Sequence, residues 1–330
     1  MNRRASFLAL AVLAAAPSLV LSQVAAKLPV IATIVVSPGP PLGWPKSAYY
    51  QAFMQGLRDL GYVEGKQFVV QQLWSTGKAE DVPDFAKRLA AAGPDVILAS
   101  GETSTRSAQR ATTSTPIVIA YGGDPVRGGF AKSLAKPGGN ITGVSTLNED
   151  TSAKLLELLL EVLPKRPRLA VLGNPAVPSY ASVHKNLEEA ARRIGVAILT
   201  VEARSAAEIE GGFARMAAEK VGAVVVLGDP LIFSQRQQIA DLALKYRMAS
   251  VYPAREHVEA GGLISYGVNI VDGFRRAASF VDRILKGAKP GDLPIEQATA
   301  LELAINLKTA KAIGVVIPQS LMLRADRVIE

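Results

Sequence analysis

Short apolar runs alternate with amphipathic helical patterns along most of the chain, and this alternation restricts the fold more than any other feature. Residues 30–36 (VIATIVV) are an unbroken, mostly β-branched run, which is typical of a strand buried on both faces of a sheet. Further strand patterns follow at residues 67–73, 95–99 and 116–120, with helical patterns at 47–60, 83–93 and 103–112 between them. This order predicts a parallel sheet with right-handed crossovers.

The alternation restarts near residue 150 and predicts a second parallel sheet of similar size. Strand patterns occur at residues 168–172, 196–202, 223–227, 250–252 and 302–306, with helical patterns at 152–163, 179–194, 206–220, 234–246 and 271–285. We therefore predict an α/β protein made of two Rossmann-like lobes with parallel sheets. Because ligands of such sheets bind at the carboxyl ends of the strands, a ligand cleft is expected between the lobes.

Residues 1–26 have the three-part pattern of a secretory signal peptide. Arg3 and Arg4 provide a positive start, residues 7–21 are an apolar run, and residues 22–26 (SQVAA) offer small side chains for cleavage after Ala26. The apolar run is shorter than the roughly 20 residues that span a bilayer, although a retained anchor helix is the alternative. We expect a soluble protein exported to the periplasm, without a lipid anchor because no cysteine lies at the cleavage point.

The composition excludes several kinds of chemistry. The chain has no cysteine, so disulfides, thiolate metal sites, iron–sulfur clusters and cysteine nucleophiles are all excluded. Its two histidines, His184 and His257, are too few for a multi-histidine metal site, and we expect neither a metal nor a cofactor. The 37 basic and 29 acidic residues give a net charge of +8, but the basic residues form no run, so nucleic acid is not an expected partner.

Catalytic motifs are missing as well. The sequence contains neither G-x-S-x-G nor H-E-x-x-H, and residues 61–66 (GYVEGK) are one spacer short of a Walker A loop. His257 lies near Glu256 and Glu259, a pairing suited to acid–base work, but no nucleophile is close in sequence. We therefore expect a binding protein rather than an enzyme. The alternatives are a secreted two-lobed α/β enzyme or a ligand-sensing domain that uses the same cleft.

Polar residues at the predicted strand ends form a candidate ligand site. Ser100 and Thr103 follow the third strand and precede a helix, so their hydroxyls and the free N–H groups of that helix offer a carboxylate site, or act as simple caps. Glu102 would repel an anion there unless it points away or meets an ammonium group. Asp229 follows the buried run VVVLG and suits an amino group, or caps a helix. Asp124 is either a ligand contact or part of a turn.

Aromatic side chains occur in four of the predicted cleft loops, at Trp44, Tyr121, Tyr180 and Tyr252. Aromatic residues are only 6% of the chain, so this placement favours stacking on a flat ligand or contact with a cation. An aromatic amino acid or an aromatic carboxylate is therefore the favoured ligand, while aliphatic amino acids and other small organic acids stay open.

Several longer motifs together resemble one known family. They are residues 53–66 (FMQGLRDLGYVEGK), 124–126 (DPV), 137–144 (PGGNITGV), 261–267 (GGLISYG), 284–290 (ILKGAKP), 306–311 (NLKTAK), 317–318 (IP) and 323–326 (LRAD). The chain resembles the substrate-binding proteins of ABC transporters, in the group that includes the tryptophan- and tyrosine-binding proteins. The resemblance covers essentially everything after residue 26.

The resemblance implies a type I periplasmic-binding-protein fold, whose two lobes are joined by three crossovers. The N-terminal lobe is expected at residues 27–144 plus 253–285, and the C-terminal lobe at 145–252 plus 286–330. It also implies a monomer that binds a small molecule and delivers it to the permease and ATPase subunits of an importer.

The loops that hold ligand in similar family members map to a defined set of residues here. These are Ser37, Ser100, Glu102, Thr103, Tyr121, Asp124, Asn174 and Asp229. Many members have Gly-Thr in the third-strand loop, where this chain has Gly101-Glu102-Thr103, so the resemblance leaves the ligand's identity undecided.

Overall fold

The computed structural model describes residues 27–35, 44–72, 81–146, 148–163, 168–298 and 300–330, and elements are numbered below in chain order. The predicted signal peptide and Ser37 lie outside these residues. Within the described part of the chain, no helix is both long and apolar enough to cross a membrane.

The first sheet is built from the β-branched runs of the N-terminal part of the chain. Its strands are β1 (Val30–Val35), β2 (Val69–Gln72), β3 (Val96–Ser100), β4 (Ile117–Tyr121), β5 (Ile141–Ser145) and β11 (Glu296–Gln297). They are parallel and lie in the order β11-β5-β4-β3-β1-β2. Both faces of this sheet are covered by helices, which is why its central strands are apolar throughout.

The second sheet repeats this design and adds an antiparallel strand. Its strands are β6 (Leu169–Gly173), β7 (Ile198–Glu202), β8 (Ala223–Val226), β9 (Ala249–Tyr252), β10 (Ile264–Val268), β12 (Leu301–Asn306) and β13 (Arg327–Ile329). They lie in the order β13-β12-β10-β9-β8-β6-β7, with β12 antiparallel to β10 and the other neighbours parallel.

The helices divide between the two sheets. The first lobe carries α1 (Ala48–Asp59), α2 (Val82–Ala91), α3 (Gly101–Ala111) and α10 (Ile270–Leu285). The second carries α4 (Asn148–Glu161), α5 (Tyr180–Arg193), α6 (Ala206–Ala218), α7 (Pro230–Ser234), α8 (Arg236–Lys245), α9 (Arg255–Glu259), α11 (Leu307–Ile313) and α12 (Gln319–Met322). Each lobe has apolar side chains buried on both faces of its sheet.

Two of the expected lobe boundaries are wrong. Residues 253–268 belong to the second lobe, because β10 pairs with β9 and β12, and α9 packs against β10 and β12. Residues 286–298 stay with the first lobe, because β11 pairs with β5. Ser and Gly interrupt the apolar pattern of β10 (ISYGV), and β11 has only two residues, which is too short to leave a pattern. The sequence pattern therefore predicts neither strand.

With these two strands in place, the chain passes between the sheets three times. The passages follow β5, β10 and β11. Connections of this kind between two packed lobes are where we expect any hinge motion to occur.

Candidate functional site

A cavity of about 680 Å³ lies between the two sheets. The first lobe lines it with residues that follow β3 and β4, and with residues of α1 and α10. The second lobe lines it with residues that follow β6, β8 and β9. The carboxyl ends of parallel strands from both lobes therefore meet at one site, as the fold class predicts. The volume is in the usual range for sites that enclose a small organic molecule.

Aromatic rings form one continuous wall of this cavity. Tyr49 and Phe274 have ring centroids 5.4 Å apart, and Trp44 packs edge-on against Phe274 at 5.6 Å. Phe233, from the second lobe, lies 6.1 Å from Tyr49 and 5.6 Å from the imidazole of His257. Such a wall suits a flat apolar group. Of these five residues, only Trp44 is predicted as a ligand contact from the sequence.

The same wall joins the two lobes directly. The phenol O–H of Tyr49 on α1 donates a hydrogen bond of 2.7 Å to the carboxylate of Glu256 on α9. Burial and the negative charge of Glu256 raise the pKa of Tyr49 above its ordinary value, so the hydroxyl keeps its proton. Together with the contact between Tyr49 and Phe233, this hydrogen bond brings the lobes together at the cavity.

The start of α3 reaches the cavity as the sequence analysis expected. Ser100 occupies the cap position, and its side chain makes no capping hydrogen bond. Gly101 begins the helix with φ of +82°, a conformation that favours glycine, and Thr103 follows on the cavity lining. The first N–H groups of this helix and two nearby hydroxyls therefore lie beside the cavity.

The charge of Glu102 is compensated by Arg106, one helical turn later. Their carboxylate and guanidinium groups are 3.8 Å apart, and both residues line the cavity. The guanidinium of Arg106 also lies over the ring of Phe130, 4.3 Å from its centroid, and donates a hydrogen bond to the carbonyl of Gly128. This arrangement removes the difficulty that Glu102 would repel an anionic ligand.

Asp229 lines the cavity from the second lobe and also caps α7. Its Oδ1 accepts hydrogen bonds from the N–H groups of Leu231 and Ile232, at 2.6 and 3.1 Å. The residue is partly exposed, but its Oδ2 is buried and makes no well-aligned hydrogen bond with the described chain, although the Asn174 side chain is close enough to the carboxylate to affect its pKa. Burial raises the pKa of this carboxyl to about 6, while the two N–H donors and the nearby Asn174 side chain act in the opposite direction. A cationic group in the cavity would pair with it.

Asp124 and Tyr121 line the cavity from the first lobe. The Oδ1 atom of Asp124 accepts hydrogen bonds from the N–H groups of Val126 and Arg127, so the aspartate stabilises a turn. Its Oδ2 lies 3.7 Å from the Arg127 guanidinium, which compensates its charge. Asp124 is therefore part of a turn, as one of the two sequence interpretations has it, and because it also lines the cavity its contact with a ligand stays a prediction.

Three of the proposed contact residues do not line the cavity. Tyr252 is fully buried, with its ring stacked on His257 at 4.9 Å, because it is the last residue of β9 and faces the interior. Tyr180 packs against Gly173 at the start of α5, and its hydroxyl donates to Glu202. Asn174 is buried behind Asp229, and its amide oxygen accepts from the N–H of Ala176. Only Asn174 lies in a loop, and the side chains of all three residues are directed away from the cavity.

Several lining residues were not proposed from the sequence. They are Ser47, Tyr49, Arg106, Arg127, Ser179, Ser182, Phe233, Arg236, His257 and Phe274. Most lie on helices one or two turns beyond the strand ends, and their patterns look like ordinary helix faces. Arg106 is the exception, because its position four residues after Glu102 indicates an ion pair.

Comparison with known proteins establishes the family. Residues 43–329 match the family model described as ABC transporter substrate binding protein. The chain is also 25% identical over 264 residues to the tyrosine-binding protein of Clostridioides difficile (strain R20291), covering 80% of this chain and 75% of that protein. The chain therefore belongs to the ABC transporter substrate-binding protein family, as its motifs predict, and this is a family of binding proteins for small ligands rather than of enzymes.

Solved structures confirm the two-lobed fold. An ABC domain of Streptococcus pneumoniae in complex with L-Trp has a TM-score of 0.83 at 26% identity, covering 92% of this chain and 100% of that one. A conserved domain protein of Vibrio cholerae has a TM-score of 0.82, also at 26% identity and with the same coverage. A ligand-free, open substrate-binding protein with adhesive properties from Clostridium difficile has a TM-score of 0.64 at 23% identity, covering 92% of this chain and 99% of that one.

Proposed function

We propose that this protein is the periplasmic solute receptor of an ABC importer and that its ligand is an aromatic amino acid or an aromatic carboxylate. In this proposal residues 1–26 direct export and are removed, and the mature protein acts as a monomer. It closes on its ligand and delivers it to the permease and ATPase subunits of the importer.

The observation that carries the proposal is the combination, in one cavity, of an aromatic wall with a carboxylate whose Oδ2 atom makes no hydrogen bond with the described chain. Tyr49, Phe233 and Phe274 offer stacking surface for a ring. Asp229 offers Oδ2 to an ammonium group, and the start of α3 offers N–H groups and hydroxyls to a carboxylate. Together these groups match an aromatic zwitterion. Two relatives, one bound to L-Trp and one a tyrosine-binding protein, point to the same class of ligand.

Ligand contacts from both lobes explain how binding would favour closure. Asp229 and Phe233 belong to the second lobe, whereas Ser100, Thr103 and Phe274 belong to the first. A ligand can shift a conformational equilibrium only as far as it binds one state better than the other. A molecule held at both ends makes its full set of contacts only when the lobes are together.

The test is titration calorimetry of the mature protein with L-tryptophan, L-tyrosine, L-phenylalanine, L-leucine and the deaminated aromatic acids. We expect saturable binding of at least one aromatic compound and a thermal stabilisation of about 2.7 kcal/mol at 100 times its Kd. Tighter binding of L-leucine than of every aromatic compound would contradict the proposed ligand class. Turnover of a bound compound, abolished by a substitution in the cavity, would favour the enzyme alternative.

A further inference from the structure

His257 places a buried hydrogen-bond acceptor beside the aromatic wall. His257 is 1% exposed and lines the cavity, and its Nε2 atom has no hydrogen-bond partner within the described chain. Buried polar groups in folded proteins are nearly always paired, so this atom calls for a partner that the described chain does not supply. Nε2 itself has almost no accessible surface, so a ligand group reaches it only when the rings around it shift.

The tautomer of His257 follows from its other ring nitrogen. Nδ1 lies 3.2 Å from the carbonyl oxygen of Ala254, and a carbonyl can only accept, so Nδ1 carries the hydrogen. Nε2 of the neutral ring is then an acceptor. Burial lowers the pKa of His257 to about 4, with a smaller contribution from the positive charge of Arg236, and the ring is therefore neutral near pH 7.

The neighbours of the imidazole leave this acceptor unpaired. Tyr252 stacks on one face, with ring planes 17° apart, and Phe233 meets the ring edge-on. The guanidinium of Arg236 donates instead to the carbonyl oxygen of Phe233 at 3.0 Å and lies over the Phe233 ring. The imidazole is thus held in place by aromatic contacts, and one of them, Phe233, belongs to the wall that would stack on a ligand ring.

We propose that Nε2 of His257 accepts a hydrogen bond from an N–H or O–H group on the ring of the bound ligand, and that His257 thereby selects aromatic amino acids whose ring carries a donor. This inference rests on the proposed function and deepens it. An indole N–H or a phenol O–H meets the requirement, and a phenyl ring does not. When a buried polar atom of a site has its hydrogen-bond partner only in the ligand, an analogue without that partner binds more weakly. The reason is that the buried atom is then left without a hydrogen bond.

The experiment compares ligand pairs that differ only in the donor. L-Tyrosine is compared with L-phenylalanine, and L-tryptophan with 3-benzothienyl-L-alanine, in which sulfur replaces the indole N–H. For the wild type we expect the donor-bearing member of at least one pair to bind about 10-fold more tightly. In His257→Phe the ratio of the two Kd values should fall to near 1.

Two further variants separate recognition from packing. His257→Phe keeps a planar ring, and the Ala254 carbonyl still accepts from the backbone N–H of residue 257, so we expect it to fold. His257→Gln keeps an acceptor and should retain part of the ratio. Tyr252→Phe removes the hydroxyl of the ring that stacks on His257. Because Tyr252 does not line the cavity, this variant should leave the ratio of the two Kd values unchanged.

A spectroscopic measurement reports on His257 directly. With histidine labelled by nitrogen-15, the chain gives signals from only His184 and His257. The Nε2 resonance of His257 should shift on addition of the donor-bearing ligand and shift less with its donor-free partner. His184 lies on α5 outside the cavity lining and serves as the internal reference.

The outcomes separate this inference from the proposed function. If both members of each pair bind the wild type equally, or if His257→Phe leaves the ratio unchanged, the role of His257 is wrong and the receptor function stands; a bound water on Nε2 would give this result. If the wild type binds none of the four compounds, both proposals fail.

Discussion

At the scale of single residues, Asp229 has a structural role on one oxygen atom, and we propose a binding role for the other. Oδ1 caps α7, and Oδ2 is buried without a partner. Asp124 looks similar in sequence, because it also accepts two backbone N–H groups, but its charge is compensated by Arg127. This difference allows the two carboxylates of the cavity to be tested against each other.

Replacing Asp229 with Asn should weaken the binding of an amino acid by about 2–5 kcal/mol, because the ammonium group loses its buried partner. Asn is nearly as good a helix cap as Asp, so the variant should still fold. A deaminated aromatic acid should bind the variant no worse than it binds the wild type. Titration calorimetry of both proteins with both compounds measures this.

Asp124→Asn is the matched control, and we expect it to change the affinity less than Asp229→Asn does. Equal losses for the amino acid and its deaminated analogue in Asp229→Asn would show that Asp229 does not hold the ammonium group. The ligand would then be held by its carboxylate and by aromatic stacking.

The raised pKa of Asp229 predicts a pH dependence. The pKa of this carboxyl group rises from 3.8 to about 6 on folding, so the native state binds the proton more strongly than the unfolded state does. Protonation therefore stabilises the native state at low pH, and this stabilisation is lost as the pH rises from about 4 to 6. The ligand-free wild type should therefore be less stable than Asp229→Asn at pH 7, by up to about 3 kcal/mol, with the gap closing below pH 4. Thermal unfolding across pH 4–8 tests this.

Ligand binding should respond to the same titration in the opposite way. An ammonium group favours the ionised carboxylate, so affinity should be constant well above pH 6 and fall as the pH drops below it. Asp229→Asn should remove this dependence between pH 5 and 8. A wild-type affinity that does not change over this range would contradict the pairing.

At the scale of elements, α1 and α9 meet through the hydrogen bond from Tyr49 to Glu256. Tyr49→Phe removes this bond and keeps the ring contacts, so it should destabilise the closed arrangement and weaken ligand binding by up to about 10- to 150-fold, as expected for a hydrogen bond to a charged acceptor. The effect should appear mainly as faster ligand release, measured by stopped-flow fluorescence.

Tyr50→Phe is the matched control for this prediction. Tyr50 lies on the same helix, and its hydroxyl is 3.5 Å from Glu64 of the same lobe. Its loss should leave the release rate unchanged. Similar release rates in the Tyr49 and Tyr50 variants would mean that the contact between the lobes contributes nothing to ligand retention.

Close packing of β10 against the segment after β9 positions Ala254 and His257 at the cavity. A Cβ atom on Gly267 would overlap the carbonyl oxygen of Pro253, so Gly267→Ala should lower the free energy of unfolding by about 1–3 kcal/mol. Gly211 is the control, because it lies on an exposed part of α6 with open space around it. Gly211→Ala should instead raise the free energy of unfolding by about 0.5–1 kcal/mol. Urea unfolding of both variants gives the comparison.

At the scale of the whole molecule, two separately packed lobes line one cavity. The aromatic core of the first lobe includes Ala254 and contacts Phe233, both from the second lobe, so the described arrangement is one in which the lobes touch. We expect the ligand-free protein in solution to populate more open states as well, because the lobes are joined by three short passages. Small-angle X-ray scattering should show a smaller radius of gyration when the ligand is added.

The Tyr49→Phe variant extends this test. Without ligand it should have a larger radius of gyration than the wild type, and saturating ligand should bring both to the same value. A radius that is unchanged by ligand in both proteins would indicate a rigid molecule and would contradict closure.

Strand and helix patterns, and therefore the two-lobed α/β class, could be predicted from the sequence because buried parallel strands and amphipathic helices have distinct periodicities. The runs that became β1, β3, β4 and β8 are apolar along nearly their whole length. The loops at their carboxyl ends were also identifiable, since parallel sheets place them together. Ser100, Thr103, Asp124 and Asp229 reach the cavity for this reason.

Only the tertiary structure decided which lobe holds β10 and β11, because strand pairing between distant segments leaves little trace in a short sequence window. It also decided that Tyr252 turns inward while Tyr49 and Phe233 face the cavity, since these positions depend on how α1 and α7 pack across the cleft. The tertiary structure likewise determines that Asp229 Oδ2 and His257 Nε2 have no hydrogen-bond partner in the described chain. A sequence specifies which residues can donate or accept hydrogen bonds, whereas packing determines which of them are left for a ligand.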